Sequence, residues 1–523
     1  MDSAALRKAL QDPAIYPDVT TSVELRETHI SLVFLTDHFA YKIKKPVNLG
    51  FLDFSTLDQR HFFCEQELIL NRRLSSGVYL EVVPLRQDDR HYTFDDHGQV
   101  VEYALKMRRL PEDRSMEALL RRDQVTAGMI EALAQRLAAF HAAHPLSLSS
   151  ESYGTLERVK TDWEENFAQT ADAVGHTLSR QTFMTIQRAV NTFTGRHADW
   201  FAQRVQDGRI RNCHGDLRAE HIYFEAEQLQ IIDCIEFNQR FRLIDVTSEV
   251  AFLAVDLERL GAAAMAHRFV RAYVQYSEDA RLYRLLDFYR CYRAYVRGKV
   301  TSIRLQALPP PELRTLLQRR ADAYFALAAH YAERLTRPLL LLTTGLIASG
   351  KSTVAQGIAT ALDLALYSSD RVRKELVGVA PETSQRAAYG AGLYSAATTQ
   401  RTYNVLADLA RQGLSRGTSV LLDASFAKHA ERQRMAALAQ EMNAQCCMIE
   451  CWAPEEFLRA RLREREHSPA SVSDAREEIL SHFQHDYEPM QAGEGACRVR
   501  LDTTQSIQHC VLQALAAIHE QSS

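Results

Sequence analysis

Residues 345–352 read Gly-Leu-Ile-Ala-Ser-Gly-Lys-Ser, which matches the spacing G-x-x-x-x-G-K-[ST] of a phosphate-binding loop. Such a loop needs glycines because its backbone N–H groups wrap around phosphate oxygens. The segment predicts a nucleotide site in which Lys351 reaches the terminal phosphates as a catalytic residue and the Ser352 hydroxyl binds Mg²⁺. The residues expected to contact the nucleotide are Gly345, Ser349, Gly350, Lys351, Ser352 and Thr353.

The sequence around this loop predicts the fold of the C-terminal part of the chain. An apolar run at 339–344 precedes the loop, and a helical pattern follows it. Further apolar runs at 418–422 and 445–451 alternate with long helical patterns. Strand–helix alternation is typical of α/β domains with a parallel sheet and helices on both faces. We therefore predict a P-loop kinase or ATPase domain over residues 337–523.

Acidic residues follow two of these predicted strands. Asp423 ends the run that begins at Thr418, and we predict that it orients Mg²⁺ on the nucleotide. Asp370 follows an apolar run at 364–367, and it is the candidate base that accepts the proton of an attacking hydroxyl. Arg373 is predicted to hold an anionic substrate. The alternative for both acids is helix N-capping, which favours Asp without any catalytic role.

A basic helical segment completes the C-terminal pattern. Arg461 and Arg465 are four residues apart and share one helix face, so we predict that they clamp the nucleotide phosphates as a lid. A solvated, salt-bridged face is the alternative. Residues 338–490 resemble the small-molecule P-loop kinases, a group that includes gluconate kinase, zeta toxins and polynucleotide 5′-kinase. The resemblance implies ATP-dependent phosphoryl transfer.

The N-terminal part of the chain shows a different order of elements. Alternating patterns predict strands within 25–45, 78–85 and 99–107, and helical spacing predicts a helix over 60–74. Helical periodicity then dominates most of 115–335. This order predicts a small sheet with one helix followed by a helical region, which is an α+β arrangement.

Two acidic motifs lie in this N-terminal region, His214-Gly215-Asp216-Leu217 and Ile231-Ile232-Asp233. In phosphoryl transfer, a loop Asp positions or deprotonates a hydroxyl, and an Asp at a strand end holds the nucleotide's Mg²⁺. The chain over 25–335 resembles the aminoglycoside phosphotransferase family, a branch of the protein-kinase-like fold. The resemblance implies a bilobal kinase-like domain, placed at 1–336, with Asp216 as catalytic base and Asp233 as metal ligand.

Further residues fit the same resemblance. Lys42 and Lys44 lie on one face of a predicted strand, and we prefer Lys42 as the lysine that binds nucleotide phosphates. Glu67, on the following helix, is expected to pair with it. Residues 105–111 resemble the hinge between the lobes, whose backbone would meet adenine. A surface ion pair or core packing is the alternative for each of these residues.

One position departs from the family pattern. After the catalytic Asp, the family has an Asn that holds a second Mg²⁺, whereas this chain has His221. Neutral imidazole is a poorer partner than an amide oxygen for a hard cation. A glycine-rich loop over the phosphates is also missing, since the turn Thr36-Asp37-His38 contains no glycine. His221 is therefore an atypical candidate metal ligand, and the N-terminal domain is either an active kinase or a degenerate binding domain.

Composition narrows the classes of protein to which the chain can belong. The chain has 523 residues, a net charge of −4 and a pI near 6.6, so its overall charge does not draw it to nucleic acid or anionic membranes. Apolar residues make up 46%, which excludes global disorder. No apolar run approaches the ~18–20 residues of a membrane helix, and no signal peptide is visible. Nine scattered cysteines favour a reducing, cytoplasmic compartment with mostly structural thiols.

We therefore predict a phosphotransferase that uses ATP and Mg²⁺ at two nucleotide sites and acts on a hydroxyl of a small-molecule acceptor. Two alternatives stay open. One is a nucleotide-gated regulatory or binding protein with a degenerate N-terminal half, and the other is a nucleic-acid-end kinase. We expect no membrane partner, and the absence of an aromatic–basic stripe argues against nucleic acid.

Overall fold

The computed structural model describes residues 3–88, 91–146, 153–225, 228–306, 309–380, 395–466, 480–491, 494 and 497–521. By its internal packing the chain divides into two compact units. The first unit holds 1–178, 197–277 and 292–327, and the second holds 179–196, 278–291 and 328–523. The second unit thus includes helical segments that precede residue 336, and the boundary predicted there stays a prediction.

The first unit begins with helix α1 (Ser3–Ala9) and a six-stranded antiparallel sheet in the order β1-β2-β3-β6-β4-β5. Apolar residues of β2 and β3 pack with Leu85 in one core cluster, because alternate residues of a strand share a face. Helix α2 (Leu57–Asn71) starts at a capping box made by Thr56 and Gln59 and packs against the sheet. The strands are β1 Glu24–Glu27, β2 Ser31–Leu35, β3 Phe39–Lys44, β4 Tyr79–Asp88, β5 His91–Thr93 and β6 Gln99–Arg108.

Helices dominate the next part of the chain. Two short antiparallel pairs interrupt them, β7 (Ile210–Asn212) with β10 (Leu243–Asp245) and β8 (Ile222–Phe224) with β9 (Leu229–Ile231). The helices are α3 Met116–Leu120, α4 Ala127–Ala143, α5 Leu156–Gln169, α6 Arg180–Arg196, α7 Ala198–Gln206, α8 Val246–Arg259, α9 Ala263–Ser277, α10 Leu282–Gln306 and α11 Pro311–Thr336. Helix α6 belongs to the second unit, and α10 and α11 contribute residues to both.

The second unit is built on a five-stranded parallel sheet in the order β12-β13-β11-β14-β15. Its central strand β11 lies between strands that come later in the sequence, and parallel α/β sheets bind ligands at the carboxyl end of such a switch point. The strands are β11 Leu339–Thr344, β12 Ala365–Ser368, β13 Val420–Asp423, β14 Gln445–Trp452 and β15 Cys497–Asp502. The helices are α12 Lys351–Leu362, α13 Ser369–Leu376, α14 Ala396–Ser415, α15 His429–Glu441, α16 Glu455–Glu466, α17 Leu480–Asp486 and α18 Ile507–Gln521.

The structure confirms the predicted fold class, which is α+β in the first unit and α/β with a parallel sheet in the second. One covalent feature did not follow from cysteine spacing. Cys447 and Cys497 are direct neighbours in the parallel register of β14 and β15, and a disulfide joins them. Among the described residues, no helix is both long enough and apolar enough to cross a membrane.

Candidate active sites

The first unit contains a cleft of about 1430 Å³, lined by residues of the sheet and of the helical region. Four of the predicted site residues line it together: Lys42, Asp216, His221 and Asp233. Glu67 is fully buried beside them. Tertiary structure thus brings together residues that are up to 191 positions apart in the sequence.

Lys42 is held by two carboxylates. Its Nζ lies 2.7 Å from Glu67 Oε1 and 2.7 Å from Asp233 Oδ1. Burial alone would lower the pKa of Lys42, but Asp233 and Glu67 raise it well above its ordinary value. Lys44 pairs with the other oxygen of Glu67 and with Glu236, and its side chain is only 1% exposed. Lys42 is therefore the one of these two lysines that lines the cleft, and its contact with nucleotide phosphates stays a prediction.

Asp233 follows β9 in the left-handed region, with φ of 66°. This backbone turn ends the strand and directs the carboxylate to Lys42. The Asp233 N–H donates to the Tyr79 hydroxyl, at 3.0 Å. Although burial opposes ionisation, Lys42 and His221 hold the pKa of Asp233 well below its usual range. Asp233 is therefore a carboxylate at neutral pH, as a metal ligand must be.

The loop that carries Asp216 is fixed by Glu249 of α8. The backbone N–H groups of His214 and Gly215 donate to the two carboxylate oxygens of Glu249, at 2.6 and 2.8 Å. Burial would raise the pKa of Glu249, but the nearby His141 ring and the Gly215 N–H lower it to about 2. Sequence reasoning missed Glu249, because a glutamate within an apolar helix pattern carries no local sign of its partner.

Asp216 and His221 both contact Arg218. The guanidinium of Arg218 donates to both Asp216 carboxylate oxygens, with Nε–Oδ1 3.0 Å and Nη2–Oδ2 2.8 Å. Burial would raise the pKa of Asp216, but Arg218 and His221 hold it well below its usual range. His221 Nδ1 lies 2.9 Å from the Asp216 carbonyl oxygen, so Nδ1 carries the proton and Nε2 can accept from Arg218 Nη2, at 3.1 Å. Burial lowers the pKa of His221, which favours this neutral ring.

Asp216, His221 and Asp233 each offer one ligand atom, and these three atoms lie within 4.8 Å of one another. Carboxylate oxygens are the ligands that Mg²⁺ prefers, so the two aspartates suit a nucleotide-bound magnesium ion. His221 Nε2 lies 3.5 Å from Asp233 Oδ2, and His221 occupies the sequence position at which the resembled family has an Asn. A nitrogen ligand there suits Mg²⁺ less well.

The apolar part of the cleft lies at the predicted hinge, 105–111. Leu110 and Val78 are buried there in a cluster that also includes Met107, Tyr223 and Ile232. This arrangement offers a flat base an apolar surface. Thr28, His29 and Ile30, in the turn between β1 and β2, also line the cleft, whereas 36–38 do not. The turn 36–38, in which the sequence analysis noted the absence of glycine, is therefore not one of the turns at the cleft.

In the second unit, 345–350 connect β11 to α12, as predicted. Gly345 and Gly350 have φ values of 135° and 84°, and a Cβ atom on Gly345 would lie 2.3 Å from the Cys451 carbonyl oxygen. At Gly345, glycine is therefore required both by the backbone conformation and by the lack of space for a Cβ atom. Lys351 Nζ donates to the Leu346 carbonyl oxygen, at 2.6 Å, so its ammonium group lies against the loop. Ser349 is buried, whereas Ser352 and Thr353 lie exposed in the first turn of α12.

The two acids lie at the carboxyl ends of strands that neighbour in the sheet. Asp423 is paired in register with Thr343 and Ser368, and its Oδ1 accepts from the Thr343 hydroxyl at 2.9 Å. Asp370, in the first turn of α13, accepts from Arg373 Nη1 at 3.0 Å. The fold thus brings the candidate metal ligand and the candidate base to the same edge of the sheet as the loop.

Arg461 contacts the phosphate-binding loop itself. Its Nη1 donates to the Ala348 carbonyl oxygen at 3.2 Å, and its Nη2 donates to the Thr503 carbonyl oxygen at 2.5 Å. Thr503 in turn donates through Oγ1 to the Ser349 carbonyl oxygen, at 2.8 Å. The predicted contact of Arg461 with nucleotide phosphates stays a prediction, and the side chain of Arg465 lies outside the described residues. Sequence reasoning missed Thr503.

Comparisons with known proteins find two family matches in the chain. Residues 64–289 match the model of the phosphotransferase enzyme family, and 340–490 match that of an AAA domain. An uncharacterized protein of Mycobacterium tuberculosis strain H37Rv is 30% identical over 461 residues, which cover 88% of this chain and 89% of that protein. A Mycobacterium bovis protein matches with the same identity and coverage. The chain belongs to this family of fused phosphotransferase and P-loop proteins.

Solved structures give weaker similarities. A choline/ethanolamine kinase family protein from Mesorhizobium loti is 13% identical, covers 63% of this chain and 99% of that chain, and has a TM-score of 0.38. A sugar kinase from Janibacter is 19% identical, covers 35% of this chain and 95% of that chain, and has a TM-score of 0.28.

Both resemblances noted in the sequence are confirmed by the family matches. This fused phosphotransferase and P-loop protein is therefore a kinase-type transferase with a nucleotide-binding P-loop.

Proposed function

We propose that the protein is an ATP- and Mg²⁺-dependent phosphotransferase with two nucleotide sites, one in each of the domains assigned to 1–336 and 337–523. Each site transfers the γ-phosphoryl group of ATP to a hydroxyl of a small-molecule acceptor. The observation that carries the proposal is the contact series from Lys42 through Asp233 and His221 to Asp216. It supports the proposal because a lysine, two carboxylates and an imidazole lie side by side in the cleft.

In the first unit, Lys42, Asp233 and Asp216 carry the proposed tasks, and Asp216 carries two of them. Lys42, fixed by Glu67, binds the nucleotide phosphates as a point charge. Asp233 and Asp216 offer carboxylate oxygens to Mg²⁺, which when bound neutralises charge that develops on the phosphates. Asp216 stays ionised at neutral pH and takes the proton of the attacking hydroxyl.

In the second unit the phosphate-binding loop supports the equivalent proposal. Its backbone N–H groups and Lys351 hold the phosphates, and Ser352 and Asp423 offer oxygens to Mg²⁺. Asp370 is the proposed base, and Arg373, which touches its carboxylate, is proposed to hold an anionic part of the acceptor. Both residues lie at the sheet edge where α/β folds bind substrates.

A second candidate concerns the first unit alone: nucleotide binding without transfer. The observation that favours it is the paired hydrogen bond from Arg218 to both Asp216 oxygens, which weakens Asp216 as a base. His221 in place of an amide ligand also favours binding without transfer, because a nitrogen ligand holds Mg²⁺ less well than an oxygen ligand. In that case ATP occupancy would regulate a partner, and turnover would belong to the second unit.

Full-length protein tests both candidates, because the two units take alternating segments of the chain. Calorimetric titration with MgATP should show two sites in the wild type, one in Lys351→Ala, one in Asp233→Asn and none in the double variant. A single wild-type site, or two sites in Lys351→Ala, would contradict the two-site proposal. In Lys351→Ala, the further change Asp216→Asn should lower ATP turnover by about 100-fold or more while MgATP still binds. Binding without turnover in Lys351→Ala itself would identify the second candidate.

A further inference from the structure

The cleft of the first unit contains a group of three phenylalanine rings, which we name the phenylalanine triad. Phe51, Phe237 and Phe241 all line the cleft. The ring centroids lie 6.0 Å apart for Phe51 and Phe237, and 6.3 Å apart for Phe51 and Phe241. Those of Phe237 and Phe241 are 6.2 Å apart. Each ring therefore contacts the other two at the tilted or edge-on angles that aromatic pairs favour.

Two contacts hold the triad in place. The Asn238 side chain donates from Nδ2 to the Phe51 carbonyl oxygen, at 2.9 Å, and so ties the loop after β3 to the rest of the triad. The Arg240 guanidinium lies 4.9 Å from the centroid of the Phe241 ring and pairs with Glu165. The triad is therefore a fixed feature of the cleft, and its neighbouring arginine already has a carboxylate partner.

The triad adjoins the loop that carries the candidate base Asp216. A Cβ atom on Gly215 would lie 2.8 Å from the Phe241 carbonyl oxygen and 3.2 Å from Ile235 Cδ1, so this loop packs directly on the segment that carries the triad. The apolar surface offered to adenine at the predicted hinge is a separate cluster that includes Leu110. Since the nucleotide base is proposed to lie at that hinge, a ring bound at the triad belongs to the acceptor.

Part of the apolar surface at the triad is left uncovered by the chain. Phe51 is 43% exposed, and Leu49, which lies in the same loop and also lines the cleft, is 46% exposed. Phe237 and Phe241 are half-buried. Large apolar side chains that stay in water forgo the favourable free energy of burial. Several of them together in a cleft, beside a candidate base, indicate a surface that a ligand covers.

The chemistry of the triad favours an uncharged flat ring over other ligands. An aromatic ring packs on phenylalanine in the same stacked or edge-on way as the three rings pack on one another. A polyol would give up hydrogen bonds to water there, because a phenyl group offers no conventional donor or acceptor. An alkylammonium group can also bind a phenyl ring, but the Arg240 guanidinium already makes that contact with Phe241.

We propose that the acceptor of the first unit is a hydroxyl compound with an uncharged aromatic ring, and that the phenylalanine triad binds this ring. This inference rests on the transfer proposed for the first unit. The bond between the γ-phosphorus and the bridging oxygen of ATP breaks, the acceptor oxygen bonds to that phosphorus, and the hydroxyl proton passes to Asp216. Aromatic alcohols and nucleosides share this chemistry.

Binding of the ring is the first measurement. Full-length Lys351→Ala protein, saturated with MgADP so that the nucleotide site of the first unit is filled, is titrated calorimetrically with tryptophol, 2-phenylethanol and thymidine. At least one of them should bind, and Phe51→Ala and Phe241→Ala should each weaken that binding by about 10-fold or more. Phe62→Ala, at an exposed phenylalanine of α2 outside the cleft, is the matched control and should leave the affinity within about twofold.

Transfer is the second measurement, made in the same Lys351→Ala protein with MgATP. The three aromatic probes are compared with glycerol, which has no ring, and with choline, which has a cationic group instead of a ring. The kcat/KM of at least one aromatic probe should exceed that of glycerol and of choline by about 10-fold or more. Phe51→Ala should raise the KM for this probe by about 10-fold and leave MgATP binding unchanged, which also shows that the first unit stays folded.

The outcomes separate the inference from the proposed function. The inference is overturned if no aromatic probe binds, if Phe51→Ala and Phe241→Ala bind the probes as tightly as the parent protein, or if glycerol or choline is the better acceptor. Ring binding that responds to both variants, in a protein that transfers phosphate to no probe, would contradict the proposed function and leave the ring site standing. A preference for thymidine would identify a nucleoside acceptor, and a preference for tryptophol or 2-phenylethanol an aromatic alcohol.

Discussion

Lys42 Nζ lies 2.7 Å from Asp233 Oδ1, although 191 residues separate them in the sequence. Lys42 lies on β3, between β2 and β6 in the sheet, and Asp233 follows the short strand β9. Their contact joins the proposed phosphate-binding and metal-binding groups of the first unit in one site. The same carboxylate that neutralises Lys42 in this structure is the one proposed to hold Mg²⁺ when nucleotide binds.

The two lysines of β3 should behave differently when changed. In the Lys351→Ala protein, Lys42→Met should weaken MgATP binding at the remaining site by about 10-fold or more, because it removes the ammonium group that faces the cleft. Lys44→Met should instead cost about 3–5 kcal/mol of stability, since it leaves Glu67 and Glu236 buried with less positive charge. Calorimetric titration and urea unfolding measure the two effects.

The contrast within this pair serves as its own control, because both substitutions are identical and lie two residues apart. If Lys44→Met weakened nucleotide binding while Lys42→Met did not, the assignment of the phosphate lysine would be reversed.

His221→Asn should improve the use of Mg²⁺ by the first unit. The amide oxygen is a harder ligand than the imidazole nitrogen, so the Mg²⁺ concentration for half-maximal ATP binding should fall by about 3- to 10-fold. Binding is measured at fixed ATP and varied Mg²⁺ in the Lys351→Ala protein. His38→Asn, an exposed position outside the cleft, is the control and should change nothing. An unchanged or raised Mg²⁺ requirement in His221→Asn would remove His221 from the metal site.

Glu249→Gln should destabilise the first unit in a pH-dependent way. The pKa of Glu249 is lowered from 4.5 to about 2 in the folded protein, so its contribution is fully present above pH 4.5 and is lost as pH falls towards 2. The variant should therefore lose about 3 kcal/mol at pH 7, and the difference from the wild type should shrink below pH 4.5. A difference that stayed constant from pH 7 to pH 3.5 would show that charge is not the cause.

Fluorescence can follow this unfolding in the first unit alone. The chain has three tryptophans, of which Trp163 and Trp200 lie in the first unit and Trp452 in the second. In a Trp452→Phe background, urea unfolding monitored by tryptophan emission therefore reports the unit that contains Glu249.

Gly345→Ala should abolish nucleotide binding at the P-loop. The added Cβ would lie 2.3 Å from the Cys451 carbonyl oxygen, and the φ of 135° is unfavourable for alanine, so the loop must shift. In Asp233→Asn protein, MgATP binding to the second unit should fall by about 100-fold or more. Gly378→Ala, also at positive φ but with open space around the Cβ, is the control for backbone strain. Retained binding in Gly345→Ala would show that the loop tolerates the shift.

The local sequence was enough to predict a site when its chemical groups lie on consecutive residues. The loop at 345–352 contains every group that wraps a phosphate, so its spacing alone predicted the P-loop and the strand and helix on either side. Asp216 and Asp233 were predicted from short motifs at a loop and at a strand end, together with the family resemblance of those motifs. The alternation of strands and helices determined the fold class, since hydrophobic periodicity follows secondary structure.

Tertiary structure decided everything that depends on partners distant in sequence. The hydrogen bonds from His214 and Gly215 to Glu249 and the support of the P-loop by Arg461 and Thr503 join residues from separate elements. No local pattern marks such pairs, because each side chain alone has the appearance of an ordinary capping, surface or buried polar residue. Which charges are buried follows only from how the chain packs.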